Sequence, residues 1–279
     1  MAYKSLLSVL TSVNLSDTAL DHLVALADHF SAHAEALCLG VDRTQTSYYY
    51  AGASAVVLQE TLDRANAEAA EVLAHANDKL SKSGVRWSSE SGVAQIADLS
   101  RHVAHRARFS DLVVLPKPYG EGRGPEVEGV VEAALFEGRA PVLVVPQGSA
   151  PVTAPKTVLV AWNESIEGLA AARKALPFLV GAETVRIVVI DPPQHGPERS
   201  DPGGMLSQML SRHGARCEID VLSRTMPKIS DILNRHATDT GADMVVMGAY
   251  GHSRFREAIL GGATRYMLEQ ATIPVLMAH

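Results

Sequence analysis

The residues best suited to chemistry in this 279-residue chain lie close to its end. Gly248, Gly251 and Gly261 follow the spacing G-x2-G-x9-G, and Gly262, Ala263 and Thr264 come directly after. Glycine has no Cβ, so backbone N–H groups at Gly248 and Gly251 can approach a ligand closely. Successive N–H groups in a turn form a nest for an anion. Gly261 to Thr264 read as the opening of a helix, whose free first-turn N–H groups and dipole favour phosphate. Between the glycines, His252, Ser253 and Arg254 offer further donors, with Arg256 beyond them. Thr264 can cap the helix or bond a phosphate oxygen. The run begins where the apolar segment Met244–Met247 ends. A bare GxxG is weak evidence, because glycines near strand ends are common. Strand, GxxG, nine-residue spacer, glycine and helix start together are much more specific.

The elements that must position this run occur twice. Lys4–Leu10 resembles Lys156–Trp162, Asp111–Leu115 resembles Asp243–Met247, and Ala140–Pro146 resembles Ile273–Ala278. The first pair lies about 152 residues apart and the later pairs about 132, so the middle of the second copy is shorter by about 20 residues. The first copy predicts strands near Ser5–Leu10 and Ala34–Val41, a short strand at Val85 and Trp87, and strands at Asp111–Leu115 and Pro141–Val145. Its helices are expected near Asp17–Ser31, along a stripe of Leu58, Leu62, Ala65, Ala69, Val72, Ala76 and Leu80, and around Ile96, Leu99 and Val103. The second copy predicts strands near Thr157–Ala161, Val185–Ile190, Cys217–Leu222, Asp243–Met247 and Val275–Ala278. Its helices fall near Ser165–Leu179, Pro202–His213, Lys228–Thr240 and Gly262–Gln270. Strands alternating with helices, several of them uniformly apolar, imply parallel sheets wound on both faces. Pro146–Pro155 reads as a linker between domains 1–149 and 154–279.

Composition narrows the function classes. Hydrophobic residues are 47%, charged residues 20% and aromatic residues 5%, so Ala, Val and Leu must fill the core. A formal net charge of -6, with no Lys/Arg-rich run, argues against a nucleic-acid partner. No apolar run reaches the ~20 residues of a membrane span. The start reads as a strand rather than a targeting segment, so a cytoplasmic location and no membrane partner are expected. The 11 His are scattered, with no HExxH pair, and a metal centre is not expected. Cys38 and Cys217 fall in predicted strands and read as small buried hydrophobes. There is no Walker A lysine and no GxSxG, and no catalytic residues are assigned. Glu257 with Arg254 and Arg256 could assist slow hydrolysis, although an exposed mixed-charge loop is the simpler reading.

The G-x2-G-x9-G run, the segment Met247–Ser253 and the ending Ile273–Met277 resemble the universal stress protein family. The similarity covers both copies. It implies two repeated doubly wound, five-stranded parallel-sheet domains of the adenine nucleotide alpha-hydrolase-like kind. The pair would form an intrachain pseudo-dimer through the last strands, Pro141–Val145 and Pro274–Ala278. Such pairing also covers an edge strand. A homodimer and an unidentified protein partner are compatible with the resemblance. The implied ligand is ATP or AMP, with Mg2+ as the ion that normally accompanies ATP.

The resemblance also carries over site residues. The family has Pro/Ala-x-Asp after its first strand, and this chain has Ala161, Trp162 and Asn163, so a hydrogen-bonding side chain remains without the charge. Ser165 looks like the following helix N-cap. Val189 matches an apolar position beside adenine. Gly262 stands where the family has Ser or Thr, which loses a hydroxyl and keeps an N–H. In the first copy Pro116 replaces the first loop glycine, Tyr119 the second, and Glu128 falls where Gly261 falls. Thr11 stands where Asn163 stands. That site is expected to hold no ATP, and its loop, with Gly120, Gly122 and Gly124, reads as exposed. Three functions stay open: a nucleotide-binding regulator in the stress response, a nucleotide-independent interaction module, and a slow ATP hydrolase.

Overall fold

The structure, a computed structural model, describes residues 2–43, 55–192, 200–249 and 262–279, with the side chains of 55–58 outside that description. The chain divides into two compact units, Lys4–Ala140 and Pro141–His279, the latter joined by Met1–Tyr3.

The first unit runs β1 (Ser5–Leu10), α1 (Val13–Phe30), β2 (His33–Asp42), α2 (Ala55–Ser81), β3 (Arg86–Gln95), α3 (Leu99–Ala107), β4 (Leu112–Pro116) and α4 (Pro125–Glu132). A π-helical turn, Ala133–Glu137, continues α4. Its strands lie in the order β3-β2-β1-β4, with parallel pairing throughout. Leu6, Leu7, Leu112, Val113, Val114 and Leu115 are fully buried, as expected of strands covered on both faces. On α2 the side chains of Ala65, Ala69, Val72, Ala76 and Leu80 are buried.

Four expectations for this unit are corrected. Leu62 is 40% exposed, so among the described side chains the buried stripe of α2 begins at Ala65. The third strand is ten residues long rather than short, because β3 follows β2 in register from Arg86 to Gln95 although most of its residues are polar. Ile96 precedes α3 rather than lying on it. The loop after β4 gives way to α4, started by Pro125 in its first turn and by Glu126 and Glu128 at its positive end.

The second unit runs β5 (Val142–Val145), β6 (Thr157–Trp162), α5 (Ile166–Lys174), α6 (Leu176–Leu179), β7 (Thr184–Ile190), α7 (Gly204–Arg212), β8 (Cys217–Leu222), α8 (Ile229–Asp239), β9 (Met244–Gly248), α9 (Ala263–Gln270) and β10 (Val275–Ala278). Strand order is β5-β10-β9-β6-β7-β8. All pairs are parallel except β5 with β10, where Val144 faces Val275 and Val142 faces Met277. The expected pairing of the two last strands is thus present, and it lies within this unit. Tyr3 also belongs here. Its hydroxyl donates to the Lys174 carbonyl at 2.5 Å and its ring lies 5.7 Å from that of Phe178, a fully buried side chain.

The repeat read from the sequence reappears atom by atom. Asp111 Oδ2 accepts the backbone N–H groups of Lys4 and Ser5 at 2.7 and 3.0 Å. Asp243 Oδ2 accepts those of Lys156 and Thr157 at the same two distances. In the first unit this carboxylate ties the residue before β4 to the start of β1, and in the second the residue before β9 to the start of β6. The α/β fold with mostly parallel sheets is as expected. Both cysteines are free; Cys38 is buried and Cys217 partly so, and burial pushes the Cys38 thiol up to about 12.

Candidate functional site

In the second unit β6 and β9 are neighbours in the sheet. The chain leaves β6 through α5 toward β7 on one side, and leaves β9 toward α9 and β10 on the other. The winding therefore reverses between these two strands. In open α/β sheets such a reversal opens a crevice at the carboxyl ends of the strands, where ligands bind.

The sheet register brings four of the sequence-selected residues into two facing pairs. Ala161 is the partner of Met247 across β6 and β9, and Trp162 is the partner of Val189 across β6 and β7. Val189, Met247 and Trp162 are buried, at 5%, 6% and 9% exposure, while Ala161 is half-buried and Asn163 exposed. Gly248 ends β9. A Cβ there would stand 2.6 Å from the Gly168 nitrogen and 2.8 Å from the Glu167 carbonyl carbon. Only glycine lets β9 end this close to the first turn of α5.

The start of α5 is built locally. Asn163 Oδ1 accepts the Ser165 N–H at 3.3 Å, and Ser165 Oγ accepts the Gly168 N–H at 3.0 Å. Ser165 is thus the N-cap, as its type suggested. Glu164 between them has φ 61°, the left-handed region. Asn163 uses its oxygen to hold this turn, which leaves its amide N–H groups available to a ligand.

Two residues matter here that sequence reasoning passed over. Gly168 and Gly203 flank the Trp162 indole: a Cβ on Gly168 would be 3.4 Å from Trp162 Cε3, and one on Gly203 would be 3.7 Å from Trp162 Cδ1. Gly203, with φ +81°, also stands over Ile187 and Val189. Between the two glycines the indole is buried, and its Nε1–H has no hydrogen-bond partner among the described residues. A buried donor without an acceptor costs about 1–3 kcal/mol, so this position favours a ligand that supplies one.

Gly262 caps α9 with φ -55° and ψ 156°, and its carbonyl accepts the Tyr266 N–H at 3.2 Å. Ala263 opens that helix, and Thr264 beside it is buried. The strand end is anchored on its other side, where the Ala249 N–H donates to the Ala278 carbonyl at 2.9 Å. Gly251, His252, Ser253, Arg254 and Gly261 lie outside the described residues, as do Arg256 and Glu257.

The first unit has the same reversal, between β1 and β4, with different contents. Thr11 follows β1 and is buried, and Pro116 ends β4. Tyr119 Oη donates to Glu128 Oε1 at 2.6 Å. The carboxylate that is buried at the start of α4 is that of Glu126, at 6% exposure.

Crevice, repeat and glycine-bearing strand end together define a doubly wound α/β protein with a candidate ligand crevice. Residues 155–279 match the model of the universal stress protein family. Over 141 residues the chain is 29% identical to a universal stress protein of Synechocystis; the match takes in 49% of this chain and 46% of that protein, so the chain spans about half the length of this curated relative. Among solved structures, a universal stress protein from Archaeoglobus fulgidus superposes with a TM-score of 0.72 at 14% identity, over 98% of this chain and 95% of the other. A functionally unknown protein from Pseudomonas aeruginosa gives 0.55 at 14%, over 99% and 92%. At these identities the likeness is one of fold.

Proposed function

We propose that this is a cytoplasmic stress-response protein that binds an adenine nucleotide, ATP or AMP, in the crevice of its second unit, and that it acts as a regulator rather than an efficient catalyst. The observation that carries the reading is the reversal of winding between β6 and β9, with the first glycine of the G-x2-G-x9-G run at the end of β9. The match of residues 155–279 to the universal stress protein family model supports it. The residues present suit such a ligand. Adenine offers ring-nitrogen acceptors for the Trp162 indole N–H and an apolar face for the Val189 side of the crevice. The Asn163 amide can donate to a ribose hydroxyl. The glycine run and the start of α9 supply N–H groups of the kind that hold phosphates. No three His, Cys, Asp or Glu side chains converge on a metal position among the described residues. Mg2+ would accompany ATP, bound to its phosphates.

The test is calorimetric titration of nucleotide-stripped protein with ATP and Mg2+, and separately with AMP, beside a Gly251→Val variant of verified fold. Binding near one per chain that the variant loses supports the reading. No binding by either protein up to millimolar nucleotide refutes it in favour of a nucleotide-independent interaction module. Steady phosphate release that the variant loses would instead establish a slow hydrolase.

A further inference from the structure

In the first unit the position that a phosphate would take is filled from within. The start of α4 is a site of positive potential, with Gly124 as N-cap, Pro125 next and no side-chain cap. Glu126 turns its carboxylate back over this start. A methyl group on Gly124 would overlap both carboxylate oxygens, so the carboxylate rests against the N-cap itself. From the end of β2, Arg43 reaches the same group: Nη2 and Nε donate to Glu126 Oε1 at 2.7 and 3.2 Å. Arg43 is held in turn by Glu68 Oε2 at 3.1 Å and the Val41 carbonyl at 3.3 Å. The Glu126 side chain is 7% exposed, and its Oε2 is buried with no hydrogen-bond partner among the described residues.

A buried carboxylate is costly unless fully paired, and this one is paired on one oxygen only. Its surroundings, a helix start and a guanidinium, are those that recognise phosphate. We propose that the crevice of the first unit is an anion site whose resident anion is the Glu126 carboxylate, latched by Arg43, and that a polyphosphate takes this place once the carboxylate is removed. The expected absence of ATP there then has a definite cause. The loop has lost glycines, but the site is also occupied by a residue eighty-three positions from its latch.

Inorganic triphosphate, titrated calorimetrically, tests this with the full chain. Whatever the second unit binds is recorded on the natural protein and serves as the baseline. Glu126→Ala is expected to add one site per chain, at least about tenfold tighter than any such binding by the natural first unit, the scale of one charge-assisted contact. Arg43→Gln in the Glu126→Ala background is expected to abolish the added site. Should Glu126→Ala fail to fold, Glu126→Gln, which keeps the shape and removes the charge, is read by the same criterion. A folded Glu126 variant with no added site overturns the proposal, and so does an added site that survives loss of Arg43.

Discussion

Gly248→Ala probes how closely the two strand ends and α5 are packed at the crevice. The added methyl would stand 2.6 Å from the Gly168 nitrogen and 2.8 Å from the Glu167 carbonyl carbon, well inside van der Waals contact. Both are backbone atoms of a capped helix, so no side chain can rotate away. Either β9 bends or the first turn of α5 shifts. Forcing a methyl group into such a space costs about 1–3 kcal/mol. For a unit of this size that lowers the unfolding midpoint by roughly 3–12 °C. The chain has two tryptophans, Trp87 in the first unit and Trp162 in the second. Thermal unfolding followed by Trp162 fluorescence in a Trp87→Phe background reports on the second unit. Gly181→Ala, in the same unit, is the control, since its methyl would meet only the Phe178 and Pro177 carbonyl oxygens, at an ordinary 3.7 and 3.9 Å. A midpoint for Gly248→Ala indistinguishable from that of the control would refute the close approach of β9 to α5.

Other perturbations follow from the same geometry. Ser165→Ala removes the acceptor of the Gly168 N–H and should cost about 1 kcal/mol, measured by urea unfolding of the second unit. Gly129→Ala lies within α4, where a methyl would touch only Leu99 Cδ2 at 3.7 Å; it should stabilise the first unit by up to about 1 kcal/mol, measured by urea unfolding of that unit. Asp220 is shifted by opposing effects. Burial raises its pKa, but hydrogen bonds from His236 and Arg186 and the Arg186 charge outweigh this and hold it below 3.8. A depressed carboxylate stabilises the fold at pH well above 3.8 and loses that contribution as pH falls through its folded value. Asp220→Asn should therefore lower the unfolding midpoint at neutral pH, and the difference from the natural chain should shrink as pH drops below 3.8.

The sequence made some features plain because they depend on short segments. Apolar runs such as Leu112–Leu115 and Val158–Val160 can only be buried strands when turn residues bound them, and the paired Asp111 and Asp243 come from a repeat visible by eye. The Ser165 N-cap is likewise a local matter. Features that depend on distant partners stayed hidden. β3 is mostly polar, and its ten residues are strand because β2 lies beside them, not because of their own alternation. α4 was obscured by Gly129 and by the glycines ahead of Pro125, although proline and acidic residues in a first turn are a helix-start signal. Leu62 fits the apolar stripe of α2 by spacing alone, and only packing decides that, among the described side chains, the buried part begins at Ala65. At the site, the strand ends carrying Trp162 and Gly248 could be read from motif order. The roles of Gly168 and Gly203 beside the indole could not, because close approach is a property of the neighbour. Glu128 drew attention by its alignment with Gly261, yet Glu126 holds the buried position, since helix phase turns it inward and Glu128 toward Tyr119.

The most direct test of nucleotide binding in the second unit is amide hydrogen exchange, read by mass spectrometry, with and without ATP and Mg2+. The account predicts slowed exchange in peptides covering 161–168 and 248–266, and unchanged exchange in peptides covering 116–128. Protection confined to 116–128, or no change anywhere at millimolar ATP, would contradict it.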